Sequence, residues 1–194
     1  MSKNGVYIFD LDGTLVNLPV NWRKLKEEIA DKFGIENRLP PLYQILNEYF
    51  ANRPDQLKIA FDMMDQHELK AVQDAVLIDC ALDVLDRVAV NSRLALVTLQ
   101  GRAACNALLK KFALGRFFEM ILTREDSLDR AKQIGIIIEK MSVSARDAVM
   151  VGDRDNDVIC ARQVGLACVL IGTRDSQTAP AFSYPSMKQF LSTL

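Results

Sequence analysis

The chain has 194 residues, 49% of them hydrophobic, and a formal net charge of −1. That is enough apolar material for one sizeable domain, or a domain carrying an insertion. The balanced charge offers no basic excess for nucleic acid and no acidic tail. No apolar stretch approaches the roughly 18 residues that a spanning helix needs, so a membrane role is not expected. Ser2-Lys3-Asn4-Gly5 leads straight into a short strand-like run, without the apolar core of a signal peptide. Cys80, Cys105, Cys160 and Cys168 lie in apolar segments with no Cys-x-x-Cys spacing. They read as small core residues in a reducing compartment, the cytoplasm. His67, the sole histidine, lies in the polar stretch Asp65-Gln66-His67-Glu68, which reads as solvated surface.

Val6-Tyr7-Ile8-Phe9 is the continuous apolar run of a strand buried on both faces of a parallel sheet. It ends in Asp10-Leu11-Asp12-Gly13-Thr14-Leu15. If the chain stays extended, the carboxylates at positions 10 and 12 share one side. They then repel unless a cation sits between them, which points to a hard, oxygen-preferring metal such as Mg²⁺. A solvated Asp-x-Asp-Gly turn has the same composition.

From residue 16 to about 79 the pattern is almost wholly helical. Residues 21–33 carry apolar positions at Trp22, Leu25, Ile29, Ala30 and Phe33, closed by Gly34. Pro40-Pro41 opens a second helix with Leu42, Ile45, Leu46, Tyr49 and Phe50 on its apolar face. Pro54 opens a third, with Leu57, Ala60, Phe61, Met64 and Leu69 at similar spacing. From Leu82 helices and strands alternate. Helices are predicted over 82–90, 103–112, 127–141, 156–164 and 187–191, and strands over 94–98, 118–122, 148–151 and 166–171. Residues 178–185 read as a loop. Repeated βα units imply a parallel, three-layered sheet, and the helical block interrupting them reads as an inserted subdomain.

In a parallel sheet the strand tips share one edge, so Asp10, Thr98 and Asp153 are expected to converge. Thr98 begins Thr98-Leu99-Gln100-Gly101, where a hydroxyl and the following backbone amides can hold phosphate oxygens. The same hydroxyl can equally close its own turn. Asp153 and Asp157 stand at a strand tip and in the next helical turn, Asp153 as the more direct metal ligand and Asp157 as the weaker contact. Asp155 between them is also suited to capping that helix.

Asp10-Leu11-Asp12-Gly13-Thr14-Leu15 resembles motif I of the haloacid dehalogenase-like superfamily, most of whose members are Mg²⁺-dependent phosphatases. Thr98 falls where that family's motif II has Ser or Thr, although Leu99 replaces the common Asn. Gly152-Asp153 through Asp157 resembles motif IV, Gly-Asp-x-x-x-Asp. Motif III matches least: the family's Lys, often Lys-Pro, has no exact counterpart in Ser127-Leu128-Asp129-Arg130-Ala131-Lys132. By position Arg130 is the first candidate and Lys132 the second, and each is otherwise an ordinary solvated helix residue. The role needs a cation to offset the clustered carboxylates and a phosphoryl group, and Arg and Lys fill it differently.

The resemblance implies a three-layer αβα Rossmann-like core over residues 1–15 and 82–194, with a helical C1-type cap over 16–81. It implies Asp10 as nucleophile, Asp12 as general acid/base, and Mg²⁺ held by Asp10, the Asp12 backbone carbonyl, Asp153 and Asp157. Thr98, Leu99 and Gln100 would bind the phosphate of a small phosphorylated metabolite. Phosphoglycolate phosphatases and their relatives are similar over nearly the full chain. A phosphomutase or phosphotransferase on the same core, or a catalytically degenerate phospho-ligand binder, remain alternatives. An acid at position 12 speaks against a halide-removing hydrolase. The helical insertion speaks against a phospho-accepting receiver domain. Asn17, Asn21, Trp22, Arg23 and Arg53 are candidates for substrate selection.

Overall fold

The computed structural model describes residues 5–35, 42, 45–172 and 178–194. At its centre is β1 (Val6–Phe9), flanked on one side by β4 (Arg93–Val97) and on the other by β6 (Ala148–Gly152). Outside these lie β5 (Met120–Leu122), β7 (Ala167–Ile171) and β8 (Phe182–Tyr184), giving the order β5-β4-β1-β6-β7-β8 with every pairing parallel. A central strand has no solvent-facing side, which is why β1 is apolar at every position. Successive strand residues alternate faces. Phe9, Leu94, Leu96, Val149 and Val151 join one core, and Val6, Ile8, Ala95, Val97 and Met150 the other.

Helices α3 (Ala81–Ala89), α4 (Arg102–Lys111) and α7 (Met187–Leu191) cover the first face. Helices α5 (Arg130–Lys140) and α6 (Asp155–Val164) cover the second. This is the three-layer arrangement that alternating βα units require. Helices α1 (Trp22–Phe33) and α2 (Pro54–Ala71), with a π-helical turn at Ile45–Tyr49, form a separate unit. Its own small core includes Leu25, Ile29, Phe50, Ala60 and Met64.

The chain enters and leaves this helical unit through two short strands, β2 (Val16–Asn17) and β3 (Val76–Leu77), paired antiparallel. Two-residue strands carry no readable alternation, and an all-helical reading of 16–79 passes over them. The loop expected at 178–185 contains β8, which has only three residues before Pro185 and an exposed Phe182, as suits an edge position. The helix expected from residue 127 begins at Arg130 because the Asp129 carboxylate accepts the Ala131 and Lys132 amides, ending the turn before it. The start of the helix expected from Pro40-Pro41 lies outside the described residues.

The buried face of α2 is Ala60, Met64, Glu68 and Ala71, with Leu69 exposed. The stripe therefore runs through an acid in place of the expected leucine. The stretch from Asp65 to Glu68, expected to be solvated, is instead drawn inward at both ends of its turn. His67 bonds Glu28 of α1 at 2.7 Å.

Candidate active site

Parallel pairing aligns Phe9 with Leu96 and with Val151, so the three chains leave the sheet at one edge. The Asp10 amide makes one last bond to the Val151 carbonyl at 2.9 Å, which holds the carboxylate at the tip of β1. Asp10, Asp153 and Asp157 are all buried, and each offers a carboxylate oxygen within 4.8 Å of the others. Two glycines make room for them. A Cβ at Gly13, whose φ is +90°, would collide with the Asp153 carboxylate, and one at Gly152 would collide with that of Asp157.

Arg130, the first residue of α5, closes the cluster. Its Nη2 donates to Asp10 Oδ1 at 2.6 Å, its Nη1 to the Val97 carbonyl at 2.5 Å, and its Nε faces Asp157 Oδ1 at 3.6 Å. One planar fork thus reaches two acids and the end of β4 together. Lys132 is exposed and its side chain lies outside this cluster.

Asp157 is buried and shares the cluster with Asp10 and Asp153. The Arg154 amide donates to its Oδ2 at 3.2 Å, and burial raises its pKa well above the carboxylate range. The charge of Asp10 pushes the same way, Arg130 opposes it, and Asp153 adds to the rise. Three carboxylates against one guanidinium leave a negative, oxygen-only donor set, which fits a hard divalent cation. Asp155 does not cap α6, being its first residue, and accepts instead from Thr178 Oγ1 at 2.9 Å.

Asp12 takes a different position from the one extended geometry predicts. The strand ends at Phe9, and the Asp12 side chain turns toward β2, where Oδ1 accepts the Leu18 amide at 2.9 Å. Its pKa is raised to about 6, first by burial, with the charges of Asp10 and Asp153 adding and the Leu18 amide and Arg154 opposing. A carboxyl poised there can both give and take a proton near neutral pH.

The Thr98 hydroxyl donates to Gln100 Oε1 at 3.0 Å and accepts the Gln100 amide at 3.2 Å, so it closes its own turn. Among the described residues the intervening Leu99 amide finds no acceptor. That leaves a backbone donor in the loop after β4, the strand paired with β1, for an incoming anion. Gln133 braces the loop from below, the two hydrogens of its Nε2 shared among the carbonyls of Thr98, Thr123 and Ser127 at 2.9, 3.0 and 3.0 Å.

Of the residues considered for substrate selection, Asn21 caps α1 through the Lys24 amide, Trp22 packs on the helical unit's core, and Arg53 stacks on the Tyr49 ring. Asn17 and Arg23 are exposed. Gln133 and a buried arginine, Arg124, carry no motif. The one sequence signal for either was an apolar helix face interrupted by Gln133, between Arg130 and Ile134.

The model of the family described as haloacid dehalogenase-like hydrolase matches residues 7–171. A protein from Bacillus velezensis named Pyrophosphatase PpaX is 26% identical, covering 96% of this chain and 93% of its own. Phosphoglycolate phosphatase 1 of Pseudomonas aeruginosa is 24% identical, covering 95% of this chain and 77% of its own. The crystal structure of a predicted phosphatase from Clostridium acetobutylicum has the same fold, with a TM-score of 0.78 at 21% identity over 100% of this chain and 98% of that one.

Proposed function

Because the chain belongs to the haloacid dehalogenase-like hydrolases, we propose that it is a Mg²⁺-dependent phosphomonoesterase working through an aspartyl-phosphate at Asp10. At the coarser level it is a hydrolase of the phosphatase type. The observation that carries the finer reading is the buried set of Asp10, Asp153 and Asp157 under the Arg130 fork.

An Asp10 oxygen attacks phosphorus as the bond to the leaving alkoxide breaks, and Asp12 gives that alkoxide its proton. Asp12, now ionised, takes a proton from water as the water oxygen bonds to phosphorus. The bond from phosphorus to Asp10 then breaks, which frees inorganic phosphate and restores both carboxyl groups. Arg130 and the Leu99 amide face the charge that builds on the phosphoryl oxygens. Asp10, Asp153 and Asp157 would hold Mg²⁺, which when bound supplies positive charge to polarise those oxygens.

The names of the relatives, a pyrophosphatase and a phosphoglycolate phosphatase, support a small phosphorylated metabolite as substrate and disagree on which. The balanced charge supports neither nucleic acid nor a membrane surface as partner. No helix among the described residues is long and apolar enough to span a bilayer. Four free cysteines support a reducing, cytoplasmic setting. The test is turnover of p-nitrophenyl phosphate and a panel of phosphorylated metabolites, with Mg²⁺ and with a chelator. Metal-dependent release of phosphate is expected, and no turnover of any member under either condition would reject the proposal.

A further inference from the structure

Helix α2 carries two acids that do not serve the core of its own unit. Glu68 is fully buried, and both its oxygens receive Nη1 of Arg124, at 2.7 and 2.9 Å. Its Oε2 also accepts the Gly101 amide at 3.0 Å. Asp65, one turn earlier, takes Nη2 of the same arginine. Arg124 comes from the turn after β5, lies over the Phe61 ring at 5.4 Å, and reaches the Leu99 carbonyl at 3.4 Å. A Cβ at Gly101 would collide with Asp65 and with this guanidinium, so only glycine lets the three groups meet. Helix and loop are therefore joined by a charged contact.

Such a junction is an expensive way to hold two units together, since apolar side chains of similar volume do so without desolvating charge. What an Arg–carboxylate fork adds is direction. The direction here is toward the loop from Thr98 to Gly101. Helix α4, which follows that loop, is gripped at both ends. Its first amides are taken by carboxylates, Gly101 by Glu68 and Arg102 by Glu125. At its last residue, Lys111 Nζ donates at 2.8 Å to the carbonyls of Val72, Gln73 and Ala75, just past α2. Leu128, later in the loop that carries Arg124, packs on the core of the helical unit.

We propose that Glu68 and Arg124 are positioning residues for phosphoryl transfer, clamping the helical unit to the loop so that the Leu99 amide is held toward Asp10. This deepens the proposed function and rests on it. Neither side chain touches the reacting atoms. Seating of the helical unit and order in the phosphate-holding loop then become one event, and whatever favours one favours the other.

The test compares Glu68→Ala, Glu68→Gln and Arg124→Met, and the double variant Glu68→Ala/Arg124→Met, with Ile29→Ala, which opens a cavity in the helical unit far from the loop. Glu68→Gln keeps volume and an acceptor, so it serves if the alanine variant does not fold. With p-nitrophenyl phosphate, kcat of the Glu68 and Arg124 variants is expected to fall about tenfold or more, because small misplacements of a binding group are costly. KM changes less, and the double variant is no slower than the worse single one, because both act through one contact. Ile29→Ala lowers Tm and leaves kcat near wild type. Exchange of the Gly101 amide, followed by NMR, accelerates in the Glu68 variants and not in Ile29→Ala. Additive effects, kcat losses that merely track Tm, or an unchanged Gly101 amide would overturn the proposal. A wild-type protein without phosphatase turnover would sink the proposed function itself, and the exchange measurement would still decide the clamp.

Discussion

Arg130 Nη2 and Asp10 Oδ1 meet at 2.6 Å, although the two residues stand 120 positions apart in the chain. The contact ties the tip of the first strand of the sheet to helix α5, which precedes β6 in the chain. Its second arm, on the Val97 carbonyl, fixes the guanidinium plane, so the fork cannot swing away from the acids. A lysine at 130 would satisfy one of these partners at a time. Arg130→Lys is expected to lower turnover by about 10²-fold, the usual cost of losing one preorganised charge donor. Arg130→Met should cost at least as much and lower Tm as well, because it leaves buried carboxylates uncompensated. Lys132→Ala should change neither. Steady-state rates and melting curves for the three variants check this, and loss of activity in Lys132→Ala would hand the role to that residue.

Asp10 and Asp12 are predicted to fail in different ways. Asp10→Asn removes the nucleophile and should abolish turnover. Asp12→Asn should slow turnover by about 10²–10⁴-fold, the usual worth of a positioned acid or base. With p-nitrophenyl phosphate, whose leaving group scarcely needs a proton, the Asp12→Asn enzyme should still give a burst of nitrophenolate and then stall. Stopped-flow absorbance reads the burst, and its absence would remove Asp12 from the second step.

The sheet and the meeting of Asp10 with Asp153 were legible because both follow from local apolar runs plus one rule about parallel strands. Asp157 was legible as an acid of the site, but its full burial depends on how α6 sits against Gly152. Asp12 went the other way, since its orientation is set by the Leu18 amide just after β2, a strand too short to leave a pattern. Glu68 was the plainest miss. Its burial depends on Arg124, 56 residues away, and no local periodicity encodes a partner at that distance. What the chain hides, then, is not its core but its buried ionic contacts.

Metal binding should show as stability as well as activity. Three clustered carboxylates facing one guanidinium keep a net negative charge, and a ligand that binds only the folded state raises its Tm with concentration. Mg²⁺ is expected to raise Tm, and a chelator to return it to the metal-free value and stop turnover. In Asp153→Asn both the Tm response and the activity should require more Mg²⁺. Calorimetric scans across a Mg²⁺ series test this, and an unresponsive wild type would contradict the assigned donor set.

Acid should loosen the turn that carries Arg124 before it unfolds the sheet. Burial pushes the Glu125 and Asp126 carboxyls up, yet hydrogen bonds outweigh it and leave both below their ordinary values of 4.5 and 3.8. For Glu125 the largest of these come from the Thr123 hydroxyl and the Arg102 amide, and for Asp126 from the Thr123 amide and Arg102. A group whose pKa is depressed by folding contributes stability above its unfolded pKa and loses it as pH falls through the folded one. The contribution is therefore complete above about pH 5 and is lost progressively as pH falls below that. Glu125→Gln and Asp126→Asn should each lower Tm at neutral pH and flatten its fall over that window. Tm measured across the window for the three proteins decides the matter: parallel curves would mean that these bonds do not hold the turn.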